Sequence, residues 1–430
     1  MKYNQRESAC HLWLVALLGL AFIACDSSSG GDDEMAGETM AGETMAGDQP
    51  PMSMGWSVWQ TNLPCDDKAA MHWDDDLHGV WGCGKRGDAG LWSTTDGGAT
   101  WTEQRRITDK VNGFARDASG RLFAAGQFGG AVALIDDSNP ELFSLTPLYE
   151  RSRNSSTSVE QGESIGITSD GQILADSLTG TTAVYFAGMN ASGQEWMSTV
   201  CTEEGTGVTP IEGTDGSWCE LSGVSDLTLT DPSASSGQIT NIIVHEDRFY
   251  AAGWYIADEG KVRLPTQASG LAPYHMTEVK VQASGTGELI DLSIDGQGTL
   301  FTAGTDGDGN TPLVYSCPTS ADCYTSAGWT RVEPEFMFLD QYWIDGTSAR
   351  DGRGIASHGD LTIAVGNFVP NNKGGWAIIT RDGGQTWEDL TPTLLAASGA
   401  EGRLGMFYNV HVFESGKAII VGDTSFVFTP

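Results

Sequence analysis

TTDGGATW (94–101) and TRDGGQTW (380–387) decide how this chain reads. Both spell Thr-x-Asp-x-Gly-x-Thr-Trp, opening at Thr94 and Thr380. The pattern is the chemistry of a β-hairpin turn. Asp96 and Asp382 are placed to accept hydrogen bonds from backbone amides of the turn, and Gly98 and Gly384 tolerate positive φ. Trp101 and Trp387 then pack over the hairpin as the next strand begins.

Working outward, a weaker repeat recurs between the two copies. LFAAG (122–126), FYAAG (249–253), LFTAG (300–304), TIAVG (362–366) and AIIVG (418–422) are short, apolar, β-prone and closed by glycine. VWGCG (80–84) and QILAD (172–176) are degenerate copies. Polar turns such as DASGR (117–121), IDGQG (294–298) and ESGK (414–417) precede them. Strands apolar on both faces suit a position sandwiched between neighbouring sheets, so these segments are expected to be inner strands.

The Thr-x-Asp-x-Gly-x-Thr-Trp motif resembles the Asp-box (BNR-like repeat) of bacterial-sialidase, sortilin and photosystem II assembly factor propellers. The resemblance implies an all-β fold, a β-propeller. Counting glycine-closed strands predicts seven blades, with six or eight as the alternatives. Excess length falls into insertions at 151–161, between Cys201 and Cys219, and at 340–353. The last hairpin, GDTSFVFTP (422–430), lacks a tryptophan strand, whereas GWSVWQTN (55–62) starts the domain with one. The ring is therefore expected to close with strands from both termini, 56–60 completing the last blade.

Ahead of this domain (55–430) lie two other segments. Lys2 and Arg6 precede an apolar run, LWLVALLGLAFIA (12–24), too short for the roughly 20 residues of a membrane span but suited to a signal peptide. The run ends in Ala24-Cys25. This resembles the lipobox of bacterial lipoproteins, although Phe22 replaces the usual aliphatic residue; an ordinary cleaved signal is the alternative. The resemblance implies removal of 1–24, a lipid on Cys25, and a place in the bacterial cell envelope, at the outer membrane or cell surface. Residues 25–54, with MAGET repeated, are Gly-, Ser- and acid-rich and read as a disordered tether. A methionine metal site at Met35, Met40 and Met45 lacks accompanying His or Cys.

With 23 Lys plus Arg against 57 Asp plus Glu, the net charge is −34. Such a surface repels nucleic acid and leaves cations and basic proteins as partners. Setting aside Cys10 and Cys25, the cysteines fall as Cys65/Cys83, Cys201/Cys219 and Cys317/Cys323. An even set in an exported chain implies disulfides; fifteen connectivities exist, and nearest-neighbour pairing is the one expected. Zinc is the rival, without a supporting spacing.

Candidate chemistry is sparse. A sialidase-like glycoside hydrolase would need an arginine triad, a tyrosine nucleophile and a glutamate, but Arg263, Arg331, Arg350, Arg353 and Arg403 are scattered. Asp306, Asp308 and Asn310 alternate like a calcium loop without completing one, and read as a turn. MHWDDDLHG (71–79) gathers His72, Asp74, Asp75, Asp76 and His78; alternation in a strand would align His72, Asp74 and Asp76. A solvated turn is the expected reading there. Tyr342 and Trp343 sit in an insertion where they could front a ligand. The function expected is a non-enzymatic envelope lipoprotein presenting its propeller to a protein or glycan, with no cofactor, no metal and no catalytic residues; the alternative is the glycoside hydrolase.

Overall fold

The computed structural model describes residues 57–61, 70–85, 88–107, 110–126, 132–139, 142–149, 161–178, 182–189, 195–196, 209–210, 218–220, 237–255, 260–265, 267, 276–281, 287–306, 312–332, 350–368, 374–399 and 404–429. Their strands form antiparallel sheets, numbered here in chain order: sheet 1 (70–107), sheet 2 (111–149), sheet 3 (161–220), sheet 4 (237–280), sheet 5 (287–331), sheet 6 (350–389) and sheet 7 (407–429). Within each, the chain meanders from a first strand outward. In sheet 7, Ser57–Thr61 adds as the fourth strand, with Ser57 opposite Thr429 and Thr61 opposite Ser425.

Six of these sheets are four-stranded blades, one fewer than the seven expected; sheet 3 departs from that pattern. Its third strand, Thr182–Met189, is shared by two short segments, Glu195–Trp196 and Trp218–Glu220, and Thr209–Pro210 adds beyond the latter. The Cys201–Cys219 excursion thus replaces a single fourth strand.

The glycine-closed segments are inner strands, as expected, and each is the second strand of its sheet. First strands lie against first strands of the next sheet, from sheet 1 through to sheet 7. The second strands are apolar on both faces because each face belongs to a different seam. Leu122 and Ala124 pack with sheet 1, whereas Phe123 and Ala125 pack with sheet 3. Equivalent apolar seams join sheets 4 and 5, 5 and 6, 6 and 7, and 7 and 1. Burying both faces is the dominant favourable term for such a fold, at roughly 25 cal/mol per Å² of apolar surface.

One short helix, Thr391–Ser398, follows sheet 6; it has proline in its first turn, ends at Gly399 and puts Leu394 into the seam between sheets 6 and 7.

Candidate functional site

The first strands carry an irregularity that builds a site. Pairing with the second strand slips by one residue between Val111 and Gly113, Ile239 and Asn241, Leu289 and Asp291, Gly352 and Gly354, and Phe407 and Asn409. Each slip is a β-bulge, which leaves one residue unpaired and re-aims its side chain. The residues so released are Asn112, Thr240, Ile290, Arg353 and Tyr408. All five line one cavity of about 110 Å³, with Ala70, Val111, Asn241, Asp291 and Asn409 completing its wall. First strands of six sheets contribute, so the cavity is the channel around which the sheets are set.

The glycine closing each second strand makes the bulge possible. Val111, Ile239, Leu289, Gly352 and Phe407 sit opposite Gly126, Gly253, Gly304, Gly366 and Gly422. A Cβ on Gly304 would lie 1.9 Å from the carbonyl oxygen of Glu288, and one on Gly422 would lie 1.9 Å from that of Met406.

A bulge also frees backbone amides, and polar side chains take them up. The Asp291 carboxylate accepts from Leu292 N–H and, across the seam, from Ile355 N–H, both at 2.8 Å. Ser164 Oγ accepts Ile242 N–H at 2.7 Å, and Asn409 Oδ1 accepts Val410 N–H at 2.7 Å. Thr240 Oγ1 donates across its seam to Leu289 O at 2.8 Å. Half-buried Asp291 is pushed up to about 7 by desolvation, which outweighs the two amides that favour its charge. Tyr408 Oη donates to Asp423 at 2.8 Å, tying a channel residue to the last hairpin.

The turn motifs do structural work. Thr94 Oγ1 donates to Asp96 at 2.8 Å, and Asp96 accepts Thr100 N–H at 2.9 Å and Thr100 Oγ1 at 2.5 Å. The second copy repeats this: Thr380 Oγ1 donates at 2.8 Å to Asp382, which accepts Thr386 N–H at 2.9 Å and Oγ1 at 2.6 Å. Gly98 and Gly384 each donate their amide at 3.0 Å back to the opening threonine, with φ of 91° and 85°. Desolvation opposes ionisation of Asp96 and Asp382, but the threonine donors prevail and hold both below the usual carboxylate range. Trp101 meets Trp81 edge-on at 5.3 Å, and Trp387 meets Phe301 of the preceding sheet at 6.0 Å.

The His/Asp cluster is a salt-bridged turn. His72 pairs with Asp74 at 3.2 Å and His78 with Asp75 at 2.9 Å, while Arg116 bridges Asp74 and Asp137. The His78 ring and two backbone amides hold Asp75 at about 2. No group of three or more metal-ligating side chains converges among the described residues.

Cys317 and Cys323 are joined, with Cα atoms 5.8 Å apart. Cys83 is buried and disulfide-bonded, and Cys219 lies in the strand Trp218–Glu220. Cys25, Cys65, Cys201, Arg403, Asp308, Asn310, Tyr342 and Trp343 lie outside the described residues, as does the whole of 1–56. Among the arginines whose side chains are described, Arg353 lines the channel. Arg263 is buried on the third strand of sheet 4, 3.3 Å from Glu278.

No family model matches this sequence, and no curated protein matches it. Solved structures do. One, described as YCF48 bound to D1 peptide, aligns over 87% of this chain and 97% of its own at 15% identity and a TM-score of 0.50. The extracellular domain of a hybrid two component system from B. thetaiotaomicron aligns over 86% of this chain and 39% of its own, at 8% identity and a TM-score of 0.51. At these identities the likeness is one of fold. The chain is a β-propeller.

Proposed function

We propose that this propeller is a non-enzymatic binding module, lipid-anchored in the bacterial envelope, that holds a protein or glycan segment at its central channel. The observation that carries the reading is the ring of bulged residues. Asn112, Thr240, Arg353 and Tyr408, beside Asn241, Asp291 and Asn409, offer donors and acceptors on a rigid scaffold. In this reading sheet 3 counts as a seventh blade, and the ring closes through both ends of the domain. Support comes from the pairing of Ser57–Thr61 with Ser425–Thr429 and from Lys417 of sheet 7, which donates to Asp76 O and Gly97 O of sheet 1.

A sialidase-like hydrolase is the weaker reading. It needs three convergent arginines, whereas among the described residues Arg353 is the one arginine in the channel lining and Arg263 is committed to Glu278. A peptide is the ligand to test first, because the YCF48 structure is described as holding one. A basic or neutral segment fits a chain of net charge −34.

Peptide and glycan arrays probed with the mature chain should show a selective set of binders. Arg353→Ala and Asn241→Ala should each weaken those binders by about 10- to 100-fold, the loss of one or two well-placed hydrogen bonds. Variants that bind like the wild type, or turnover of a sialoside, would refute the reading.

The anchor rests on the Ala24-Cys25 junction and the acidic tether. Cys25→Ala is expected to move the propeller from the membrane to the soluble envelope fraction. Retention in the membrane, or intact 1–24 by mass spectrometry, overturns the anchor while leaving the channel reading standing.

A further inference from the structure

Four hairpin turns between first and second strands share one geometry. Asp117 N bonds Arg121 O, Thr168 N bonds Gln172 O, Asp295 N bonds Thr299 O, and Phe413 N bonds Lys417 O, with Gly120, Gly171, Gly298 and Gly416 at φ of 86°, 88°, 80° and 83°. The last position of each turn is therefore equivalent: Arg121, Gln172, Thr299 and Lys417. Two of the four put a cation at this place. The Arg121 guanidinium pairs with the buried Asp117 carboxylate at 2.5 Å. The Lys417 ammonium reaches across to the Asp-box turn of sheet 1, donating to Gly97 O at 2.9 Å and Asp76 O at 2.7 Å. It sits 2.3 Å from where a Cβ on Gly97 would be.

The Asp295–Thr299 turn meets the other Asp-box. Gly383 is the counterpart of Gly97, and its Cβ position lies 3.5 Å from Asp295 Oδ2 and 3.9 Å from Thr299 Oγ1. Thr299 offers a neutral hydroxyl and no charge there. Asp295 nevertheless supplies a carboxylate: the residue is only 2% exposed, and its Oδ1 takes the amides of Gln297 at 2.9 Å and Thr299 at 2.8 Å. Its Oδ2 is buried without a hydrogen-bond partner and faces Gly383. A buried carboxylate oxygen without a partner is unfavourable unless something neutralises it.

We infer that the junction between Asp295 and the Gly383 turn binds a hard cation, with calcium as the probe, in the place that the Lys417 ammonium fills at the sheet 7–sheet 1 junction. The donors are all oxygen, as such ions require: Asp295 Oδ2, Thr299 Oγ1 and, by equivalence with Gly97, the carbonyl of Gly383. One carboxylate among neutral oxygens sets the affinity in the weak, roughly millimolar range of extracellular calcium modules. This site is independent of the channel, so the two readings fail separately.

Thermal unfolding and calorimetric titration of the mature chain test it, after chelation and then with 10 mM-scale calcium. The wild type should gain roughly 2–3 °C, as expected for a ligand at several times its Kd. Asp295→Asn should abolish both the gain and the titration heat. Thr299→Lys should raise the midpoint without calcium and remove the response to it, because the new ammonium takes the same oxygens. Lys417→Met should keep the calcium response. A wild type indifferent to calcium, or a response retained in both Asp295→Asn and Thr299→Lys, overturns the inference.

Discussion

Gly304→Ala and Gly422→Ala should each lower stability by about 3 kcal/mol or more, although each adds one methyl group. The added Cβ would stand 1.9 Å from the carbonyl oxygen of Glu288 or of Met406, which are backbone atoms of the paired first strand and cannot rotate away. Relief requires moving the first strand, and that strand is sealed against the preceding sheet by Leu289 and Leu292 or by Phe407 and Val410. Gly120→Ala is the control. Its φ of 86° disfavours a side chain but nothing lies within 4 Å of its Cβ position, so strain alone should cost about 1 kcal/mol. Chemical denaturation of the three variants gives the comparison. Equal costs at Gly304 and Gly120 would show that the close approach to the bulge does not govern the fold. Because the displaced strand carries Ile290 and Asp291, or Tyr408 and Asn409, the channel should lose ligand along with stability.

The fold was legible because its signals are local. The Asp96 and Asp382 turns are read from eight residues each, and glycine-closed apolar strands announce sheets buried on both faces. The order within a blade was not legible, since LFAAG reads the same whether it lies first or second from the axis. Sheet 3 was marked only by QILAD, and its shared third strand has no local signature. The channel residues escaped for a related reason. A bulge breaks the period-two alternation, so Asn112, Thr240 and Arg353 occupy no regular face of a strand. A signal did exist. Asn112, Ile290 and Tyr408 precede Gly126, Gly304 and Gly422 by one common interval. Thr240 and Arg353 precede Gly253 and Gly366 by one residue fewer, because their hairpins turn on two residues, Glu246-Asp247 and Gly359-Asp360, instead of three. The His72–His78 segment drew notice through its residue types, yet each histidine there is satisfied by a carboxylate of its own turn.

Asp291→Asn is expected to change how stability depends on pH, with a swing of about 4 kcal/mol in favour of the variant between pH 4 and pH 8. Desolvation raises the Asp291 carboxyl from an ordinary 3.8 to about 7. Between those values the folded chain binds a proton that the unfolded chain releases. The contribution of Asp291 is therefore fully present below pH 4 and is lost as pH rises through 7. His411 opposes it. Burial against Trp73 and Phe413, with His72 and His358 adding repulsion, lowers its pKa from 6.5 to about 4. Its contribution is present above pH 6.5 and is lost as pH falls toward 4. Much of the two effects cancels in the wild type over that window, so the wild-type profile alone would hide both. The difference between wild type and Asp291→Asn removes His411 and the depressed turn carboxylates Asp96 and Asp382, which are common to both chains. Asparagine keeps an acceptor for one of the two amides and loses the other, a cost that does not vary with pH. Urea denaturation of both chains at pH 4, 6 and 8 should give a difference that grows steadily toward alkaline pH. A difference that stays constant would mean that Asp291 ionises as freely in the folded channel as in the unfolded chain, and the desolvation of its carboxylate in the channel wall would be wrong.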